Sequence, residues 1–201
     1  MQRRTCLLAL AYAPPMMEAI AGEGGQVAAQ FSVPDSLGAQ RSLSDFKGKS
    51  VVLEWTSPSC PFVRAQYASG KMQELQRWAT SRGVVWLSVL STHPARADFL
   101  NAKQDTTFNQ ARQAAPTALL MDSDGRMGTS YGARNTPQMY VIGANGQFAY
   151  MGAIDDQPTV DAAVVVKSRN WVRAALEDLL AGRAVKVART MPYGCLVGYA
   201  G

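Results

Sequence analysis

Val51-Val52-Leu53-Glu54-Trp55-Thr56-Ser57-Pro58-Ser59-Cys60-Pro61-Phe62-Val63-Arg64 reads as a strand, a tight turn and the start of a helix. The strand, Val51 to Thr56, is apolar except for Glu54, as a central strand covered on both faces should be. Proline at position 61 suits a first helical turn, and Tyr67, Met72, Leu75 and Trp78 fall at helical spacing. The spacing predicts a helix from Pro61 to about Thr80, bent at Gly70. Cys60 then stands at a helix N-terminus, where unpaired backbone N–H groups and the positive dipole end favour thiolate over thiol. Lowering a thiol pKa to about 6 raises its thiolate roughly 30-fold, but the nucleophilicity lost on the way leaves a gain of only about 2- to 3-fold. The neighbours of Cys60 therefore matter more than its acidity.

On the N-terminal side, residues 23–50 are rich in Gly, Ser and Pro, with Phe31 and Val33 as a buried pair and Leu43 to Lys49 as a tight helical turn. On the other side, buried strands are expected at Val84 to Leu90 and Thr117 to Met121, separated by the polar segment Ala95 to Ala114, whose helical periodicity is weak. The turn Asp122-Ser123-Asp124-Gly125 leads to a short helix ending near Tyr131-Gly132. Met139 to Ile142 and Phe148 to Gly152 flank Ala144-Asn145-Gly146 as a β-hairpin. A last helix is predicted from about Val160 to Ala181, with Thr159 as N-cap and Gly182 past its end. The tail, Thr190 to Cys195, reads as extended. Strands alternating with helices make this an α/β chain with right-handed parallel crossovers.

The 201 residues, 47% hydrophobic and 17% charged, suit one well-cored domain and exclude a disordered chain. There is no run of 18 apolar residues, so no spanning helix is expected. The net charge of +5 is spread without a Lys/Arg block or aromatic interleaving, which argues against a nucleic-acid partner. Arg3 and Arg4 precede the apolar stretch Cys6 to Ala13, and Ala19 and Ala21 precede Gly22, so residues 1–21 read as an export signal. Pro14, Pro15 and Glu18 interrupt that pattern, and a cytoplasmic chain with an irregular N-terminus is the alternative to a periplasmic one. Cleavage would leave 22–189 as the folded domain and 190–201 as its tail. It would also leave two cysteines, Cys60 and Cys195, 135 positions apart. Two is the smallest number that can cycle, and spacing alone does not tell a redox pair from a static staple.

The central stretch, together with Tyr131-Gly132-Ala133-Arg134-Asn135-Thr136-Pro137, resembles the thioredoxin superfamily. Leu43 to Lys49, the polar segment after Leu90 and Asp122-Ser123-Asp124-Gly125 are similar to its redoxin, or peroxiredoxin-like, branch (alkyl hydroperoxide reductase and thiol-specific antioxidant proteins). The resemblance covers roughly residues 27–182 and implies a thioredoxin fold, a central mixed β-sheet flanked by helices. It places Cys60 on the nucleophilic cysteine. Val63 stands where the second cysteine of a C-x-x-C pair would be, so the site is monothiol. Pro137 falls on the family's cis-proline, which would expose the Thr136 backbone to an incoming chain. Glu54 occupies the family's buried acid position; burial would favour its neutral form and make it a candidate proton acceptor for a departing thiol. Ser57-x-x-Cys60 is half of the peroxiredoxin signature, with Leu53 in place of the signature proline. Pro192-Tyr193-Gly194-Cys195 resembles the ending of uncharacterised peroxiredoxin-like proteins.

The expectation that follows is a thiol-based antioxidant enzyme. Cys60 attacks a peroxide, its sulfenic acid condenses with Cys195, and an external dithiol such as a thioredoxin-like donor restores both. Glu54, Pro137 and Arg64 complete the candidate site, with no cofactor and no metal required. Cys195 could instead be half of a static disulfide or a bystander, and Arg64 either a solvated or ion-paired side chain or a contact to the thiolate. Glu54 could simply satisfy a backbone group or Lys49. His93 reads as a surface loop residue, and Asp155 and Asp156 as a loop pair. A monothiol-disulfide oxidoreductase acting on protein or low-molecular-weight disulfides is the alternative enzyme. A non-catalytic thioredoxin-like binding or metal-delivery module, with Met127, Met139 and Met151 near the cysteine, is the alternative outside enzymes. Oligomeric state is left open.

Overall fold

A computed structural model describes residues 25–200. The export segment and Cys6 lie outside the described residues. In chain order the elements are β1 (Ser32–Pro34), β2 (Gln40–Ser42), a single 3-10 turn at Leu43–Phe46, β3 (Val51–Trp55), α1 (Pro61–Ala68), α2 (Lys71–Thr80), β4 (Val85–Leu90), α3 (Ala102–Ala111), β5 (Ala118–Met121), α4 (Arg126–Tyr131), β6 (Asn135–Thr136), β7 (Gln138–Ile142), β8 (Phe148–Gly152), α5 (Ala162–Val165), α6 (Trp171–Leu180) and β9 (Cys195–Leu196).

The main sheet has the order β5-β4-β3-β7-β8 and is mixed. Parallel pairs join β3 to β4 and β4 to β5, and antiparallel pairs join β3 to β7 and β7 to β8. Every residue of β3 is buried. Because alternate strand residues face opposite ways, Val51, Leu53 and Trp55 join the cluster built on Phe31, Val33, Leu43, Tyr131 and Tyr140. Val52 faces the second cluster, built with α1, α2 and α6, and Glu54 shares its face. Both sheet edges are covered: Ser36 N–H donates to Leu119 O beside β5, and Met151 N–H donates to Ala188 O beside β8. No helix among the described residues is long and apolar enough to cross a membrane.

Two helices differ from expectation, for local and non-local reasons respectively. The segment predicted from Pro61 to Thr80 is two helices, because Gly70 adopts a left-handed φ of 78° and starts a new one. The last helix is also two, and Thr159 is not its cap. Asp161 caps α5 and Asn170 caps α6, the latter accepting from Arg173 N–H at 2.8 Å. Between them, Ser168 Oγ donates to Asp155, Asp156 N–H donates to Arg169 O, and Asn170 bridges Asp155, which draws 168–170 out of helical geometry. Within the polar segment, the capping box of Asn101 and Gln104 starts α3 at Ala102 despite the weak apolar periodicity.

Candidate active site

β3 ends at Trp55, and the chain turns through Ser57 to Cys60, whose N–H donates to Ser57 O at 3.3 Å. Cys60 is the N-cap of α1, with Pro61 at the first helical position. Its side chain is 1% exposed. The Sγ lies 3.0 Å from Thr136 O, which accepts from the thiol, and the Thr136–Pro137 peptide is cis.

The tail comes to the same place. β9 pairs with β6 antiparallel, with Cys195 directly opposite Thr136, the residue whose carbonyl accepts from the Cys60 thiol, and Cys195 packs against the apolar cluster that contains Cys60. Both cysteines are free thiols, Cys60 buried and Cys195 partly exposed. Close approach depends on Gly194, which has φ 116°; a Cβ there would lie 2.0 Å from Thr136 O.

The two thiols are not equivalent. Burial is the largest single influence on Cys60 and pushes its pKa up. The donors available to a charged sulfur, the Cys195 thiol first, then the Thr136 side chain and the backbone N–H groups of Val63 and Cys195, outweigh it and hold Cys60 below an ordinary thiol. With the thiol neutral, the buried Thr136 hydroxyl has no hydrogen-bond partner among the described residues, so a donor is ready for the thiolate. Cys195 moves the opposite way, pushed up to about 12 by burial, then by Cys60 and by the Asp98 carboxylate. The two cysteines are shifted in opposite directions, Cys60 toward the thiolate and Cys195 toward the thiol.

The remaining site residues do not touch the sulfur in the way expected of them. Arg64 donates from Nε to Pro58 O at 2.9 Å and makes no ion pair among the described residues, so it braces the cysteine turn. Glu54 is fully buried and accepts from Tyr67 OH at 3.0 Å, Gln76 Nε2 at 3.0 Å, Trp86 Nε1 at 2.8 Å and Ser88 Oγ at 2.9 Å. Neither Lys49 nor Cys60 is among these partners. Its four donors tie α1, α2 and β4 to β3 behind the cysteine turn. Asp155, read as a loop residue, is 2% exposed and accepts from four donors. His93 uses its N–H on Gly198 O and its Nδ1 on Ala95 N–H, away from the thiols.

Sequence reasoning missed Ser59 and Asp98. Ser57 and Ser59 hydroxyls are 2.9 Å apart, and Ser59 Oγ donates to Asp98 Oδ2 at 2.6 Å, which pins the loop after β4 to the cysteine turn. Nothing local in that loop signals the contact.

Comparison with known proteins agrees with this geometry. A family model described as the AhpC/TSA family matches residues 24–151, a stretch that includes Glu54, Cys60 and Pro137 and ends before the tail. An uncharacterized conserved protein from Geobacillus kaustophilus has TM-score 0.75 at 21% identity, covering 94% of this chain and 98% of its own. A hypothetical protein from Sinorhizobium meliloti 1021 has TM-score 0.75 at 21% identity, covering 88% and 94%. Peroxidoxin BcpB from Mycobacterium tuberculosis has TM-score 0.53 at 17% identity, covering 79% and 94%. At these identities the likeness is one of fold, the thioredoxin fold. No curated protein matches the chain.

Proposed function

Because the chain belongs to the AhpC/TSA family, whose members are thiol-dependent oxidoreductases, we propose that it reduces a small peroxide with Cys60 and closes the cycle with Cys195. The observation that carries this reading is the position of Cys195, opposite the Thr136 whose carbonyl accepts from the Cys60 thiol, and packed against the cluster that holds a Cys60 1% exposed.

The Cys60 thiolate attacks one oxygen of the peroxide. The O–O bond breaks, sulfur gains the hydroxyl as a sulfenic acid, and the other oxygen leaves and takes up a proton to become water or an alcohol. The Cys195 thiol then attacks the Cys60 sulfur. An S–S bond forms, the S–O bond breaks, and the thiol proton leaves with the hydroxyl as water. An external dithiol reduces the disulfide and becomes a disulfide itself. Thr136 and the Val63 N–H steady the thiolate, Pro137 walls the sulfur, and Arg64 and Glu54 hold the turn and its supporting helices.

Size selects the oxidant. An incoming chain would pair with the Thr136 edge, and β9 already occupies it. A protein disulfide reaches the buried Cys60 only after the whole tail lifts, whereas hydrogen peroxide needs only a local opening a few ångströms wide. Hydrogen peroxide should oxidise Cys60 faster than a cysteine-bearing peptide disulfide at equal concentration, by roughly tenfold or more, the cost of opening a segment held by about 1.4 kcal/mol. Competition between the two oxidants, read by peptide mapping, checks this. Faster reaction with the peptide disulfide would favour the disulfide-exchange enzyme instead.

A further inference from the structure

Tyr193 and Cys195 are two positions apart, and both pack against the cluster that contains Cys60, Val63 and Tyr67. Residues i and i+2 of an extended chain face the same way. The tail therefore lays both side chains against α1, Cys195 at the N-cap and Tyr193 further along the helix, where its ring lies 5.7 Å from that of Phe62. The hydroxyl donates to Asp155 Oδ1 at 2.5 Å. Asp155 is itself fixed by Gln66 Nε2 at 2.7 Å and Ser168 Oγ at 2.9 Å on its other oxygen, and by Gln157 N–H at 3.0 Å. The acceptor is therefore a rigid one, tied to α1 and to the break before α6.

The strand pair is short, and while Val197 N–H on Arg134 O at 2.9 Å and Tyr199 OH on Ala133 O at 2.8 Å hold the chain after it, residues 191–194 before it have no such backbone anchor among the described residues. β9 has two residues, and the neighbouring bond from Asn135 Nδ2 to Gly194 O is 3.3 Å long. Upstream, Thr190 anchors the chain to Tyr150 and Ala153. Between that anchor and β9, Met191, Pro192 and Gly194 carry no polar side chain, so Tyr193 is the one residue of the span whose own side chain hydrogen bonds.

We propose that Tyr193 is a positioning residue, whose hydroxyl on Asp155 holds the tail so that Cys195 stays within reach of the Cys60 sulfur and thereby sets the rate of the disulfide-forming step. This rests on the two-cysteine cycle proposed above. Tyr193 exchanges no proton or electron in that step; it acts through the place it gives Cys195.

Tyr193→Phe keeps the ring against Phe62 and removes only the hydroxyl. Treated with one equivalent of hydrogen peroxide, the variant should lose its Cys60 thiol at the wild-type rate, while its sulfenic acid, trapped by a carbon nucleophile of the dimedone type, should persist roughly tenfold longer before the disulfide forms, the equivalent of one hydrogen bond to a carboxylate. Rescue by a small monothiol should consume the sulfenic acid equally fast in variant and wild type, because Cys60 itself is unaltered. Wild-type disulfide kinetics in Tyr193→Phe, or equal slowing of both steps, overturns the proposal. The parallel variant Cys195→Ser separates the two levels. If its Cys60 sulfenic acid still disappears into a disulfide, with Cys6 or a second chain, at the wild-type rate, the cycle itself is wrong; if that sulfenic acid persists and Tyr193→Phe behaves as wild type, only the role of Tyr193 falls.

Discussion

Replacing Gly194 with alanine should separate Cys195 from Cys60 and lengthen the life of the Cys60 sulfenic acid by about 100-fold or more, since misplacing a reacting group by an ångström costs that much. The cause is a contact between backbones. Gly194 has φ 116°, and a Cβ built on it lies 2.0 Å from Thr136 O and 2.8 Å from Thr136 C. Neither atom can move aside, because Thr136 is buried in β6 and joined through Pro137 to the buried strand β7. A non-glycine residue in such a region costs of order 1–3 kcal/mol even without the clash. The tail is the part that yields. The core clusters do not pass through Gly194, so the urea midpoint should change little while the disulfide step collapses. Sulfenic acid trapping against time measures the effect, and disulfide formation at the wild-type rate in Gly194→Ala would sink the assignment of Cys195 as the partner.

Glu54→Leu should destabilise the reduced protein by about 3 to 5 kcal/mol, the range expected when a buried, multiply bonded acceptor is removed. The apolar volume is nearly kept, so the loss comes from donors. Trp86 Nε1 and Gln76 Nε2 both reach Glu54 Oε2, and Ser88 Oγ joins them; Tyr67 OH reaches Oε1. Tyr67 and Gln76 can still meet each other at 2.9 Å, but Trp86 has a single N–H in a fully buried ring, and its one acceptor among the described residues is Glu54. A few kcal/mol is a large part of the 5–15 kcal/mol that holds a domain together. The midpoint of urea unfolding, with both cysteines reduced, is the measurement. An unchanged midpoint would contradict a structural role for Glu54 and return it to the list of proton acceptors.

The strand, turn and helix around Cys60 were legible because each is written in neighbouring residues: an apolar run, a proline at the first helical position, and apolar residues at helical spacing. The hairpin around Asn145-Gly146 and the burial of Phe31 and Val33 were legible for the same reason. The tail was not. Its two-residue strand is fixed by a partner 59 positions away, and the meaning of Gly194 lies in the Thr136 carbonyl rather than in its own neighbours. The breaks before α2 and α6 mark the same boundary. Gly70 announces one break locally, whereas the other depends on Asp155, which lies 13 residues from Ser168 in sequence and meets it only once the chain is folded. Glu54 was legible as a buried acid but its partners were not, since its four donors come from three other elements.

The most direct test of the account is peptide mapping of the full chain under non-reducing conditions after one equivalent of hydrogen peroxide. The account predicts a linked pair of peptides joining Cys60 to Cys195, absent from Cys195→Ser. A Cys60 that is oxidised while Cys195 remains a thiol, or that pairs with Cys6 instead, would contradict it.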